Sequence, residues 1–209
     1  EDDHLGGHDI YSGSKASCEV LTNSFISSFF KKSKCNIATV RSGNCIGGGD
    51  WTKDRIVKDC AESFIFNKNI TLRSPNASRP WQHVLEPIFG YLKLAKKLYS
   101  SKKFIGAWNF GPNKKNNMKV IDVAKFGKNL LKSRSKIKIT KQKFYESNHL
   151  SLDSSKSNRI LKWKTFLQPK EALQMSFDWY LLYYQKKNFK KIIEFTFKQI
   201  TSYKRKFIK

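Results

Sequence analysis

The chain has 209 residues, of which 39% are hydrophobic and 14% aromatic, with only 11 Gly and 5 Pro. This composition excludes a disordered or fibrous protein, and the length allows one large or two small domains around a substantial core. The acidic start EDDHLGGHD is unlike a signal peptide, and no apolar run approaches the ~20 residues of a membrane span, so we expect a cytoplasmic protein with no membrane partner.

The formal net charge is +25, and 27 of the 41 Lys and Arg residues lie in 101–209. Such a charge raises nucleic acid as a partner, but no nucleic-acid-binding motif accompanies it. The lysines are scattered along amphipathic segments that are rich in Asn, Ile, Phe and Ser. We therefore favour a solvated surface over a nucleic-acid site.

The periodicity of apolar residues predicts alternating helices and short strands. It predicts helices over 12–32, 55–66, 87–99, 118–132 and 169–184, a further helix from an N-cap at Asp153 toward Leu161, and strands at 35–40, 70–72, 107–110 and 136–140. The string SGNCIGGGDW after the first strand predicts a glycine-rich loop. A buried strand between helices, followed by a loop at its carboxyl end, indicates an α/β fold.

Two further patterns bear on chemistry and shape. Residues 186–209 hold nine Lys and Arg against Glu194 alone and predict a basic amphipathic extension. The four cysteines form no C-x-x-C pair and no cluster with histidine, which predicts reduced, buried thiols and no metal site. His83 is expected to be a packed, hydrogen-bonded residue, while Trp51, Trp81, Trp108 and Trp163 are expected to be packing residues.

Tyr11 and Lys15 are four residues apart at the start of the first predicted helix, so their side chains share one face. A nearby cation favours the phenolate and lowers the pKa of a tyrosine, which would make Tyr11 a usable acid or base near neutral pH. The Y-x-x-x-K spacing alone recurs by chance. Whether it indicates a catalytic tyrosine therefore depends on the surrounding sequence.

Several strings in fixed order resemble the extended short-chain dehydrogenase/reductase family, which includes the nucleotide-sugar epimerases and dehydratases. They are HDIYSGSKASCE, VRSGNCIGGGDWTKDRIVKD, LRSPNASRPWQHVLEPIFGYLKLA, AWNFGP and LDSSKSNRILKW. The similarity runs from about Gly6 to Trp179 and does not include the basic extension. It implies the carboxyl-terminal part of a Rossmann-like doubly wound sheet, interleaved with a smaller nucleotide-sugar-binding domain.

The resemblance also implies a reaction and its participants. The reaction would be an NAD-dependent 4,6-dehydration of CDP-glucose, in deoxysugar and lipopolysaccharide precursor synthesis. NAD would carry the hydride, while the protein supplies position and electrostatics. Tyr11 would be the base at the 4-hydroxyl, and Lys15 would lower the pKa of Tyr11 and bind the nicotinamide ribose. The implied assembly is a homo-oligomer, a dimer through the Y-x-x-x-K helix, if the amino-terminal half is present.

Four residues match substrate-binding positions of related enzymes. Arg79 is expected at the diphosphate, because a guanidinium fork suits phosphate geometry, and Asn44 is expected at the substrate. Arg55 and Asn109 are weaker candidates for nucleotide contact. For Arg79 the alternative is a surface ion pair.

Some features depart from the family pattern. Ile10 replaces the expected proline before the tyrosine, Cys45 a valine and Lys58 a proline. The strand–GxxGxxG–helix that holds the dinucleotide pyrophosphate, and the Thr-Asp pair of the family, do not occur in the 209 residues. We therefore expect the carboxyl-terminal part of the enzyme, which would be inactive alone and would expose a strand edge and an apolar face.

This interpretation divides the chain into three parts. Residues 1–46 would complete the NAD-binding domain, 47–187 would form mainly the nucleotide-sugar-binding part, and 188–209 would be the basic extension. Two alternatives stay open. One is a different nucleotide-sugar epimerase or dehydratase, against which the GGGDW string argues. The other is an inactive fragment that serves as a binding module.

Overall fold

The computed structural model describes residues 1–113, 116–140, 150–186 and 188–208. Its elements in chain order are α1 (Ile10–Phe25), β1 (Ala38–Ser42), β2 (Asn44–Ile46), α2 (Ile56–Ile65), β3 (Ile70–Leu72), β4 (Ser78–Arg79), β5 (Trp81–His83), α3 (Leu85–Ser100), β6 (Gly106–Phe110), β7 (Met118–Lys119), α4 (Val120–Leu130), β8 (Ile137–Ile139), α5 (Ser155–Leu161), α6 (Pro169–Lys186) and α7 (Phe189–Ile208). One π-helical turn, Ile26–Phe30, continues α1, and a 3₁₀ turn, Lys102–Phe104, precedes β6. None of the helices described is long and apolar enough to cross a membrane.

The strands form pairs, and three of the four pairs described are parallel. In parallel register, β1 pairs with β6, β2 with β5, and β3 with β8, while β4 and β7 pair antiparallel. Parallel strands need crossover connections, which α2 and α3 help to supply here. The predicted α/β class is confirmed.

The main core lies between α2, α4 and α6. Val57, Cys60, Ala61 and Phe64 recur at helical spacing and are buried on one face of α2. They belong to the same cluster as Val123 of α4 and Phe177 of α6. This packing fixes the amino-terminal end of α2, which the candidate site uses.

Helix α1 differs from its prediction. It begins at Ile10 because Asp9 is the N-cap, whose carboxylate accepts hydrogen bonds from the Ser12 N–H and hydroxyl at 2.9 and 2.6 Å. The α-helix ends at Phe25, where the π turn takes over. None of its residues is buried in the part of the chain that the structure describes, so its apolar face has no covering element there.

Other local predictions also need correction. The predicted glycine-rich loop contains β2, which forms because 44–46 pair with β5. Helix α4 begins at Val120, since Met118 and Lys119 pair with β4. The N-cap of α5 is Ser154, although the Asp153 carboxylate accepts a hydrogen bond from the Ser155 N–H at 2.8 Å.

The cysteines were predicted to be buried, which is wrong for three of the four. Only Cys60, in the α2 core, is buried, whereas Cys18, Cys35 and Cys45 are exposed. Cys18 lies on the uncovered α1, which explains its exposure. All four are free thiols, as predicted.

The basic extension is an integral helix. Ile192 and Tyr203 of α7 are buried, and the Tyr203 hydroxyl donates a hydrogen bond to Glu86 Oε2 at 2.6 Å. Glu86 lies in the first turn of α3. The amphipathic spacing of this segment predicts that one face lies on the body of the protein, and the buried Ile192 and Tyr203 confirm it. Helix α7 thereby helps to hold α3 in place.

His83 ends β5 and is a packed residue, as expected. Its Nδ1 accepts a hydrogen bond from the Leu85 N–H at 3.3 Å, which requires an unprotonated Nδ1. Burial lowers the pKa of His83 to about 4. The folded protein therefore holds a neutral imidazole at the end of β5, which pairs with β2 and is followed by α3.

The buried His83 predicts a pH-dependent stability. The unfolded chain binds a proton at this residue near pH 6.5, so its contribution is full above that pH and is lost as the pH falls toward 4. Between pH 7.5 and 5 the loss is about 2 kcal/mol. Urea unfolding of the wild type and of His83→Asn, which keeps an acceptor, should show a flatter pH dependence in the variant. Equal slopes would contradict this assignment.

Candidate functional site

A cavity of about 280 Å³ brings together three of the residues that the sequence singles out. Its lining includes Asn44 at the start of β2, Arg55 before α2 and Arg79 on β4. A third guanidinium, that of Arg73, lines it as well. The remaining lining residues are Asp54, Ile56, Asp59, Ile70, Thr71, Leu72, Ser74, Trp81 and Val120.

Arg79 is fixed within the fold. It is only 8% exposed, and its Nη1 donates a hydrogen bond to the Ser78 carbonyl at 3.0 Å. Its strand pairs with Met118, whose carbonyl accepts a hydrogen bond from the Trp81 indole at 3.0 Å. A buried guanidinium held in this way is prepared for an anion, because little side-chain freedom remains to be lost on binding.

In the outer part of the cavity, the charged side chains are more exposed and form ion pairs. Arg73 Nη2 lies 2.7 Å from Asp54 Oδ1, and Arg55 Nε lies 3.6 Å from Asp50 Oδ2. Asp54 has a φ of 62°, a left-handed conformation that Asp tolerates better than most residues. This turn presents Arg55 and the amino terminus of α2 to the same cavity, and both favour an anion.

The GGGDW string acts structurally here by packing its loop against α6. Gly48 lies so close to the Trp179 ring that a β-carbon would collide with it. The Tyr180 hydroxyl donates to the Asp50 carbonyl at 2.8 Å and accepts from the Asp50 N–H at 3.1 Å. Trp51 packs against the rings of Trp179, Tyr180, Tyr183 and Tyr184. The loop that leads to Arg55 is therefore held by aromatic packing and two hydrogen bonds.

Tyr11 and Lys15 lie elsewhere, in the first two turns of α1. Lys15 Nζ is 5.4 Å from the centroid of the Tyr11 ring, and Tyr11 is 71% exposed. The shared helix face that the sequence predicts is therefore present. Neither residue lines the cavity that holds Asn44, Arg55 and Arg79.

An ion pair joins α1 to the sheet. Arg41 of β1 binds Glu19 of α1 through Nε and Nη2, at 2.6 and 2.7 Å from the two carboxylate oxygens. The Arg41 guanidinium holds the pKa of Glu19 below its usual value. Because β1 leads directly to Asn44, this pair links the Tyr11 helix to the strand that enters the cavity.

Asn109 does not lie in this cavity. Its Nδ2 donates to the Asp153 carbonyl at 3.0 Å, and its N–H donates to Glu1 Oε1 at 3.0 Å. The first bond ties β6 to the segment before α5, and the second ties it to the start of the chain. The expected nucleotide contact of Asn109 therefore receives no support from the cavity.

Sequence reasoning missed three contributors to the site. Arg73 follows β3 and stands six residues before Arg79, so the string LRSPNASR carried a second cation that was available as a signal. Asp54 and Tyr180 carried no signal of this kind. Their roles depend on a left-handed turn and on a contact across 130 residues.

Comparison with known proteins places this geometry in context. No family model matches the chain. A curated relative, CDP-glucose 4,6-dehydratase of Salmonella typhimurium, is 38% identical over 170 residues, which cover 78% of this chain and 47% of the relative. The chain thus spans about half the length of the curated relative that it matches.

Solved structures share the fold at low identity. An epimerase from Methanothermobacter thermautotrophicus has a TM-score of 0.76 at 16% identity, over 87% of this chain and 53% of its own. A dTDP-glucose 4,6-dehydratase from Bacillus anthracis, in complex with NAD, has a TM-score of 0.71 at 14% identity, over 92% and 58%. UDP-glucose 4-epimerase of Thermotoga maritima, with UDP-glucose, has a TM-score of 0.70 at 16% identity, over 82% and 53%.

The fold is thus that of proteins which epimerise or dehydrate nucleotide sugars. The chain is homologous to CDP-glucose 4,6-dehydratase over about half of that relative's length, and its structural neighbours are epimerases and dehydratases of the extended short-chain dehydrogenase/reductase type.

The contact between Tyr180 and Asp50 predicts a loss of stability when the hydroxyl is removed. Tyr180→Phe loses two hydrogen bonds and should lower the free energy of unfolding by about 1–2 kcal/mol. Tyr183→Phe is the matched control, since that hydroxyl makes no hydrogen bond within the described residues, and it should change stability by less than about 0.5 kcal/mol. Urea denaturation of both variants checks this, and equal effects would contradict it.

Proposed function

We propose that the chain is part of an NAD-dependent CDP-glucose 4,6-dehydratase, a lyase of deoxysugar and lipopolysaccharide precursor synthesis in the cytoplasm. The observation that carries the proposal is the convergence of Asn44, Arg55 and Arg79 on one cavity, in a chain 38% identical to a CDP-glucose 4,6-dehydratase. The three residues come from separate strands and loops. Their location in one cavity is therefore a result of the tertiary fold and not of closeness in sequence.

The substrate diphosphate would bind the guanidinium groups. Arg79 is the principal contact in this proposal, because its burial strengthens electrostatic interaction and its position is fixed. Arg55 and the amino terminus of α2 would add positive potential at the cavity mouth. Asn44 would hydrogen-bond the substrate, since its amide can donate and accept.

Tyr11 would take the proton from the 4-hydroxyl of the glucose ring. The Lys15 ammonium lies within one helical turn, 5.4 Å from the centroid of the Tyr11 ring, where its positive charge would stabilise a phenolate. Bound NAD would supply the hydride-transfer chemistry that a 4,6-dehydration requires. The exposed phenol and ammonium offer donors that fit ribose hydroxyls, so Tyr11 and Lys15 are the residues of this chain that would hold the cofactor.

The uncovered face of α1 supports a proposal about assembly. Val20, Leu21, Phe25 and Phe29 are all exposed on α1 or its π turn. Apolar side chains grouped in this way favour burial against another polypeptide. We propose that 1–46 belong to the NAD-binding domain and form a homo-oligomer contact, while 47–187 mainly bind the nucleotide sugar.

A second candidate is a nucleotide-sugar 4-epimerase, which the structural similarity to several epimerases favours. Such an enzyme would use the same tyrosine and lysine and would release a C4 epimer without loss of water. The inactive binding module is a third possibility, in which CDP-glucose or another ligand binds without turnover. Product analysis separates all three.

The test of function is the product formed from CDP-glucose and NAD. We propose that the 209 residues alone turn over little substrate, because their sequence has no strand–GxxGxxG–helix. The assay is therefore run on the chain and on a chimera in which the unmatched portion of the Salmonella relative is joined to it. The chimera should form the 4-keto-6-deoxy product. A C4 epimer, or no product with either protein, would contradict the dehydratase.

In an active chimera, Tyr11→Phe should lower kcat by about 10² to 10⁴, the range for lost acid–base catalysis, with little change in CDP-glucose affinity. Tyr99→Phe, on an exposed tyrosine of α3, is the control and should behave as wild type. Near wild-type turnover by Tyr11→Phe would show that Tyr11 is not the base.

Arg79→Ala should weaken CDP-glucose binding by about 10- to 150-fold, the equivalent of roughly 1.5–3 kcal/mol for a hydrogen bond to a charged group. Arg79→Lys should recover part of the affinity, because it keeps the charge and loses the fork. Calorimetric titration and thermal melting are measured together. Unchanged affinity, or weaker binding matched by unfolding, would assign Arg79 to structure alone.

A further inference from the structure

The outward face of α7 combines exposed apolar side chains with exposed lysines. Phe189, Ile193 and Phe197 recur every four residues and are 74%, 40% and 63% exposed. Lys190 and Lys204 are exposed and stand seven residues before and after Phe197, so helical spacing puts them on its face. We call these five residues the α7 outer face.

The orientation of α7 is fixed by contacts on its opposite side. Ile192 and Tyr203 are buried, Gln199 Nε2 donates to the Met175 carbonyl at 2.8 Å, and Thr196 accepts a hydrogen bond from the Trp179 indole at 2.9 Å. The outer face therefore cannot turn inward to bury its phenylalanines. Its exposure belongs to the folded chain.

The charge on the helix selects the kind of partner. Helix α7 carries six Lys and Arg residues and one acidic residue, Glu194. Such a surface repels a second copy of itself and attracts an anionic one. Nucleic acid would pair its phosphates with the lysines but would leave the aligned apolar side chains exposed to water. A surface that is anionic outside and apolar beneath satisfies both.

We propose that the α7 outer face binds the surface of an anionic lipid bilayer. The helix would lie parallel to the membrane, with Phe189, Ile193 and Phe197 among the acyl chains and Lys190 and Lys204 at the headgroups. The sequence alone predicts no membrane partner, because no segment is long enough to span one. A surface helix can bind a bilayer through one face without spanning it, so the length of apolar segments does not test this kind of contact. The proposal is independent of the dehydratase activity.

Vesicle cosedimentation of the 209-residue chain tests the proposal. Vesicles of phosphatidylcholine with an equal part of phosphatidylglycerol should bind the chain, and vesicles of phosphatidylcholine alone should bind it at least about tenfold more weakly. Phe189→Ser/Phe197→Ser and Lys190→Glu/Lys204→Glu should each weaken binding at least about tenfold. The matched controls, Tyr99→Ser on α3 and the double change of Lys136→Glu just before β8 and Lys138→Glu on β8, should bind as wild type.

Several outcomes would overturn the proposal. Binding that resists the phenylalanine changes would indicate simple adsorption of a basic protein. RNA binding that depends on Lys190 and Lys204, without lipid binding, would indicate a nucleic-acid surface. Self-association lost with Phe197→Ser, again without lipid binding, would indicate a second copy. If the double phenylalanine variant fails to fold, Phe197→Trp replaces it, and anionic vesicles that fail to blue-shift its added emission would refute insertion.

Discussion

The buried carboxylate of Glu86 joins three parts of the chain that are distant in sequence. Its Oε1 accepts hydrogen bonds from the Phe166 and Leu167 N–H groups at 2.9 and 2.7 Å, and its Oε2 accepts one from the Tyr203 hydroxyl at 2.6 Å. Burial raises the pKa of Glu86, while these three donors oppose the rise. Removal of one partner would leave a buried charge poorly satisfied, which costs more than the bond itself contributes.

The consequences reach the candidate site through α3 and α6. Glu86 fixes the beginning of α3 directly after β5, and it fixes the segment that enters α6. Helix α6 in turn holds the Asp50 loop through Tyr180, and that loop precedes Arg55. The arginine-lined cavity therefore depends on long-range polar contacts as much as on the apolar core. The last helix is part of this arrangement through Tyr203.

The sequence predicted much of the fold because its signals are local. The apolar spacing of 55–66 and 169–184 predicted α2 and α6 within a few residues, and the strings around Tyr11 and Arg79 pointed to the family. Features that depend on distant partners escaped it. Strand β2 exists because β5 lies beside it, and Asp54 lines the cavity because of one left-handed turn. Asn109 was assigned by motif, yet its amide bonds to Asp153, which only tertiary structure reveals.

Helix α1 has no buried residue in the described structure, and the Glu19–Arg41 pair is its principal polar link to the sheet. A segment with so little buried surface opens at a far lower free energy than the α2–α4–α6 core, and its amides exchange hydrogen correspondingly early. Tyr11 and Arg79 thus belong to cooperative units of unequal stability. A molecule that contacts both residues must offset the conformational entropy that α1 loses when it becomes ordered. Its affinity therefore depends on how far α1 is already ordered before binding.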